Sequence, residues 1–522
     1  MEFKKSLLAA AVLSAMFGIA GCSDDDNDND NNNDGADNGG QTDTSSFNGS
    51  LKNEDFHPLE AEIGDTITAA GTADCPAGQN FAMAVDGESG DNATTFTIGG
   101  EAFPVCYITD DIDSDVTLTN DHVYVLSGNI KVGNGGVQGA TEGSGNSAAI
   151  LTIEKGTMIF GDNGTNTLLR VTRDSDINVN GTADEPVVMS AVDFDLGSGS
   201  ISEGADPLDV SGRGEWGGVI IDGWATVNGG DSSTELKSEA APTNDDDVYY
   251  GGNTDDDSSG SIEYLVIAES GVAFRPDQEV QGLTLEGVGS GTTIEYLQVL
   301  GSEDDGIEWF GGSVDMSHVV INGADDDALD MDQGWNGTLQ HAIVRMGEGE
   351  GDNGIESDSK DGSGPRVTQP TVANLLILGN KGKGESVAAK HRENFQGKFY
   401  NVAYLDDSIN GGNFTGGIFE IDDAGTEPTY TDSIWNSTAD ALYDSSGDQA
   451  GKDAATNGMT KDTGAQVNAT TFAVTSTEDD PSTDTITGDN GTDITLGGYY
   501  GAVDPTAGSA WWDGWTAHVK ND

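Results

Sequence analysis

Positive charge is the scarcest property of this sequence. Its 522 residues include 21 Lys and Arg against 92 Asp and Glu, a formal charge of −71. A surface this acidic repels phosphate backbones and anionic headgroups, so nucleic acid is excluded as a partner. It suits divalent cations, or salty surroundings that screen its self-repulsion. Cysteine is rare too, at three residues, and none has supporting His at zinc-ligand spacing. No phosphate-binding loop and no nucleophile elbow occurs, which leaves nucleotide and protease chemistry without support. Beyond the N-terminal segment no apolar run is long enough to span a bilayer. Hydrophobic residues make up only 35%, but 75 glycines bring the sum near globular proportions and argue against wholesale disorder. The length suits several ordinary domains or one elongated repeat domain.

Residues 1–21 have the order of an export signal: Lys4 and Lys5, then the apolar run Leu7–Ala20. The run ends in Ile19-Ala20-Gly21-Cys22, which resembles a bacterial lipobox. That resemblance implies cleavage before Cys22 and diacylglyceryl attachment to its thiol, with palmitate as a further acyl group. Ser23 rather than Asp follows, which favours the outer membrane, on its periplasmic or its cell-surface side. Residues 22–46 carry eight Asp and no Lys or Arg among Asn, Gly, Ser and Thr, and are predicted to be a disordered tether spanning roughly 25–30 Å. In that oxidising setting Cys75 and Cys106 are predicted to form a disulfide within an N-terminal β module, residues 47–120.

The body of the chain repeats itself. Ile262-Glu-Tyr-Leu-Val-Ile-Ala-Glu-Ser270 returns as Ile294-Glu-Tyr-Leu-Gln-Val-Leu-Gly-Ser302, and weaker copies start at Met316, Leu339, Val372 and Phe399. The starts are 32, 22, 23, 33 and 27 residues apart. Each copy is a short β-prone apolar run that ends in a polar or glycine turn, as expected when each coil of a solenoid adds one rung. These runs, with Ala149–Gly161, Leu169–Asn180, Pro186–Ser190 and Trp216–Ile221 upstream, resemble the pectate-lyase-like right-handed parallel β-helices of bacterial surface proteins, from about Val123 to Tyr430. The fold expected is all-β: a parallel β-helix over residues 121–435, with a polar insertion and an aromatic closing segment over 436–522. Stacked rungs turn each repeat position into a ladder. The third position, Tyr264, Tyr296, His318, His341, Asn374 and Asn401, is predicted to be such a stack.

The turn after each repeated strand is acidic: Glu303-Asp304-Asp305, then Asp325-Asp326-Asp327, then Asp352, with Glu308 and Asp330 in the strands that follow. Three readings stand. The first is a solvated, salt-adapted edge. The second is a Ca²⁺ ladder using Asp304, Asp305, Glu308, Asp325, Asp326, Asp327, Asp330 and Asp352, since Ca²⁺ takes six to eight oxygens from carboxylates and carbonyls. The third is catalytic. Asp304-Asp305-Gly-Ile-Glu followed by Asp325-Asp326-Asp327 is similar to the acidic motifs of the polygalacturonase family, and Lys390-His391-Arg392 to its basic motif. That resemblance implies Asp326 as general acid, with Asp305 and Asp327 activating water. The family's own His is missing, and His391 could replace it only by coincidence of folding.

The leading expectation is a lipid-anchored surface protein that binds glycan or another surface ligand through a Ca²⁺-supported acidic face, with Trp309 and Trp335 as ring platforms and Lys390 and Arg392 as ligand contacts. The alternatives are an inverting glycoside hydrolase or polysaccharide lyase, and a structural partner of an outer-membrane protein.

Overall fold

The computed structural model describes residues 101–516 apart from short internal segments, together with Cys75, Phe81–Ala82 and Thr95–Ile98. All of these belong to one unit, Asp43–Asp522. The signal, Cys22 and the tether lie outside the described residues.

The described residues form a right-handed parallel β-helix. One sheet is built from ten short described strands in strict chain order, from Asn129–Val132 to Asp440–Leu442. Its middle members are Leu283–Glu286, Ile307–Phe310, Leu329–Asp332 and Glu356–Ser357, each parallel to the next. The other sheet carries the long repeated strands: Gly260–Ser270, Thr293–Ser302, Asp315–Ala324, Thr338–Arg345 and Thr371–Gly379. Parallel pairing reaches beyond both limits drawn from sequence. It begins where Val105–Ile108 joins Val123–Leu126, and continues to Met459–Lys461 beside Ser433–Trp435.

Alternation decides what faces inward. In Ile307-Glu308-Trp309-Phe310 and Leu329-Asp330-Met331-Asp332 the odd-numbered residues fill one interior core with Ile262, Leu265 and Ile294 of the long strands. The long strands are buried on both faces, because a C-terminal segment covers their outer side chains, among them Val320, Ile343 and Leu376. This explains runs as continuously apolar as Leu375-Leu376-Ile377-Leu378.

The third-position ladder exists as read. Tyr264, Tyr296, His318, His341, Asn374 and Asn401 all adopt positive φ, between 52° and 60°, and so bend each long strand at the same place. Ring centroids lie 4.2 Å apart for Tyr264–Tyr296, 4.4 Å for Tyr296–His318 and 4.9 Å for His318–His341. Non-glycine residues resist this conformation; ring stacking and neighbour packing hold it here.

The Cys75–Cys106 disulfide is present, with Cα atoms 5.9 Å apart. It fastens Cys75 to the strand Glu101–Ile108, which also pairs antiparallel with Thr95–Ile98.

The closing of the other end corrects the expectation that aromatics cover the last open rung. The helix Gln449–Asn457 closes the last coil, burying Ala455 in the core with Ile418, Ile421 and Tyr430. Asp448 caps it by accepting from Gly451 N at 3.0 Å. The aromatics instead lie along the flank. Trp515 stands edge-on to Tyr264 and Tyr296, Trp511 edge-on to His318, and the Tyr499 hydroxyl lies 3.2 Å from His341 Nδ1.

Candidate functional site

The acidic turns lead into the short-strand sheet, and the same local pattern builds each of them. Asp305-Gly306-Ile307, Asp327-Ala328-Leu329 and Asn353-Gly354-Ile355 occupy equivalent places in successive coils. The middle residue must be small: a Cβ on Gly306 would lie 2.6 Å from Ala328 O. The first residue forms a polar ladder. Asp305 Oδ1 accepts from Asp327 N at 2.9 Å, Asp327 Oδ1 from Asn353 N at 2.7 Å, and Asn353 Oδ1 from Val387 N at 3.3 Å. One oxygen of each carboxylate therefore ties coil to coil.

Their neighbours converge on the same edge. Three overlapping groups, Asp304 with Asp305 and Asp326, Asp305 with Glu308 and Asp330, and Asp326 with Asp327 and Asp352, each bring one oxygen per residue within 4.8 Å of the others. Seven of the eight residues expected from sequence are thus assembled. Asp325 stands apart, paired with the buried Arg213 at 2.9 Å. Burial, and then the neighbouring carboxylates, push Asp305, Glu308, Asp327 and Asp330 well above the usual carboxylate range. Glu308 is the extreme case. It is 6% exposed, and its carboxylate makes no hydrogen bond or ion pair among the described residues. Asp330 Oδ1 is likewise buried without a hydrogen bond.

One coil farther along, charge is balanced. Glu308, Asp330, Glu356 and Lys390 are in register. Glu356 takes Lys390 at 2.9 Å and Arg392 at 2.6 Å, and Arg392 also reaches Asp358 at 3.3 Å. Lys390 and Arg392, expected as ligand contacts, are engaged within the protein. Burial alone would lower both, but Glu356 beside them raises both above their ordinary values. Lys360, which sequence reasoning did not single out, neutralises Asp332 at 2.9 Å. Nothing in the local sequence announces that pairing or the Arg213–Asp325 one, because the partners of each pair come from separate segments of the chain.

The ring platforms require correction. Trp309 and Trp335 are wholly buried and stacked on each other at 4.4 Å inside the helix. Trp309 shares the inward parity of Ile307, so its ring points away from Glu308 and cannot meet a ligand.

His391 is corrected as well. It is buried and stacked on Phe395 at 4.8 Å. Ser357 Oγ lies 2.6 Å from its Nδ1 and the Tyr430 hydroxyl 3.0 Å from its Nε2, and Tyr430 meets the Tyr404 hydroxyl at 3.1 Å. This interior chain has no route to a substrate, and burial pushes His391 down to about 3. Below pH 6.5 the unfolded chain takes a proton that the native imidazole refuses, so this group's contribution to stability is intact above 6.5 and falls as the pH drops toward 3. Unfolding midpoints from pH 7 to 4 are expected to fall more steeply for the parent protein than for His391→Phe. Equal slopes would mean that His391 is not buried neutral.

Residues 110–516 match the family described as pectate-lyase like beta helix domain. The match covers more than half of the chain, and the protein belongs to that family. No curated protein and no solved structure matches it. Among the described residues no helix is long and apolar enough to cross a membrane.

Proposed function

We propose that this β-helix is a surface protein held at the outer membrane through a lipid on Cys22, and that its acidic edge binds divalent cations, Ca²⁺ first among them. The observation that carries the reading is Glu308: a carboxylate left without hydrogen bond or counterion, 6% exposed, and within 4.8 Å of Asp305 and Asp330 oxygens. Burying charge without a partner costs several kcal/mol per ion. A cation at that point would satisfy Glu308 and the unpaired Asp330 Oδ1 together. The donors are all hard oxygens, which suits Ca²⁺ and not a thiophilic metal. Oxygen positions left open on such an ion are available to a surface ligand.

Hydrolysis is less well supported. Asp326 has an oxygen within 4.8 Å of an oxygen of Asp305 and of Asp327, close packing that leaves little room for the water an inverting glycosidase holds between carboxyls about 6.5–9.5 Å apart. One oxygen each of Asp305 and Asp327 is fixed on a backbone N–H. A lyase's base is no easier to find, since Lys390 and Arg392 are raised by their carboxylates and hold their protons.

Calorimetric titration of the metal-stripped full chain with CaCl₂ tests the reading. At least one saturable site is expected, lost in Asp330→Asn combined with Glu308→Gln; an empty titration overturns it. For the anchor, Cys22→Ser is expected to move the protein from the membrane fraction to the soluble one. Retention in the membrane would refute lipidation at that residue.

A further inference from the structure

We infer that the long-strand sheet carries a second site, a cleft that takes a neutral, hydroxyl-rich glycan. The cleft has a volume of about 370 Å³, within the ~300–1,000 Å³ of small-ligand pockets. It lies on a different sheet from the acidic edge and shares no residue with it.

Its floor follows from register. Glu295, Ser317 and Gln340 are direct neighbours on three successive parallel strands, and all three line the cleft. Parallel strands lie ~4.8 Å apart, so a carboxylate, a hydroxyl and an amide form an evenly spaced row on one face. Thr293 lies beside that row, and Ile494, from the C-terminal segment, supplies apolar surface.

The walls include His318 and His341 of the stacked ladder. His318 Nδ1 lies 3.0 Å from Ser317 Oγ, which fixes how the ring meets the floor. Burial pushes both imidazoles down to about 4. Each is therefore neutral at ordinary pH; His341 is engaged by the Tyr499 hydroxyl and the Ala502 backbone, and His318 keeps its Nε2 for a ligand. Gln340 Nε2 already donates to Thr495 O at 2.7 Å and to Asn374 Oδ1 at 3.3 Å, so its Oε1, with neutral imidazole, hydroxyl and carboxylate, matches the mixed donor and acceptor character of sugar hydroxyls.

Charge decides against other ligands. Glu295 and Asp315 line the cleft, and no Lys or Arg does. Asp315 is already saturated by Thr338 N, Asn490 Nδ2 and the Thr492 hydroxyl. Glu295 accepts only a long contact from Ser317 Oγ, at 3.4 Å, and its second oxygen is open to a ligand hydroxyl. Phosphate, sulfate and uronate would all meet uncompensated negative charge here. Strand addition by a peptide is blocked, since each of these strands is paired on both sides.

The test is calorimetric titration of the full chain with neutral hexasaccharides of glucose, mannose, galactose and xylose, with hexagalacturonate as the anionic control and a glucosamine hexamer as the cationic one. At least one neutral probe is expected to bind. Ser317→Leu, which removes the central hydroxyl and fills the floor, should weaken it about tenfold or more, the effect of losing one or two hydrogen bonds. Glu295→Ala should act in the same direction. Asp453→Asn, on the exposed side of the helix Gln449–Asn457, should leave sugar binding unchanged. Binding of only the charged probes, no binding at all, or neutral-sugar binding that survives both cleft substitutions would overturn the proposal. CaCl₂ titration of Ser317→Leu keeps this outcome separate from that of the cation reading.

Discussion

Replacing Glu308 by Gln is expected to raise the unfolding midpoint of the metal-free chain and to remove most of the stabilisation that Ca²⁺ confers. Burial, and then Asp330 and Asp305, lift this carboxyl well above its ordinary value of 4.5. The native state therefore holds the proton more tightly than the unfolded chain does. This group favours the fold fully below pH 4.5 and progressively less as the pH rises through the native value. At neutral pH and without metal the group is a liability, as a buried charge or as a carboxyl that must hold a proton the unfolded chain releases, and the isosteric amide removes it. With Ca²⁺ the order reverses. A site held at 100 times its dissociation constant adds ~2.7 kcal/mol, which for a body of about 400 residues corresponds to ~3 °C, taking an unfolding entropy of about 2.1 cal/mol/K per residue. Melting curves of both proteins with millimolar Ca²⁺ and with chelator, at pH 7 and pH 5, measure all of this. The Ca²⁺ gain should shrink at pH 5 as protons compete. A lower metal-free midpoint for Glu308→Gln would mean that the carboxylate is stabilising as it stands, and the cation reading would fail.

Trp309→Ala is expected to destabilise the protein by about 3–5 kcal/mol, the usual range for emptying an aromatic site in a core. The ring is stacked at 4.4 Å on Trp335 and packed among Ile307, Leu329 and Met331. Trp309→Phe should cost far less. It keeps a ring against Trp335, and it gives up no hydrogen bond, because the Trp309 Nε1 is buried without a partner. Neither substitution should change the affinity of any ligand for the folded protein. Denaturant titrations of the two variants, beside ligand titrations in water, check both halves. A surface role would reverse the pattern, with stability kept and binding lost.

The repeated architecture was legible because it is written at fixed positions. Tyr264, Tyr296, His318, His341, Asn374 and Asn401 follow one another in sequence as they do in the stack. The carboxylates of the turns were legible for the same reason, since Asp305 and Asp327 recur at one place in the repeat. Trp309 was equally legible by parity: Ile307 and Trp309 alternate with Glu308 as Leu329 and Met331 alternate with Asp330. Proximity in sequence to the aspartates was the wrong guide, because adjacent strand residues face opposite ways. Counterions were beyond reach. Arg213 meets Asp325 across 112 residues, and no periodicity encodes such a meeting. The direction taken after Lys461 was equally silent: aromatics at a chain end fit a plug or a flank alike.

That flank changes how the protein comes apart. A solenoid held only by contacts between adjacent coils behaves like a linear chain of switches and frays from its ends. Here the chain returns on itself, with Trp515 resting on Tyr264 some 250 positions upstream. Asn374 Nδ2 and Asn401 Nδ2 donate to Tyr499 O and Ser482 O, both at 2.9 Å, along the way. Coils that would otherwise melt one after another share a single fastening. Unfolding in the middle of the protein should therefore be one concerted event. The fastening also forms late, since loop closure over so many residues must wait for Trp515 to be made and reach Tyr264.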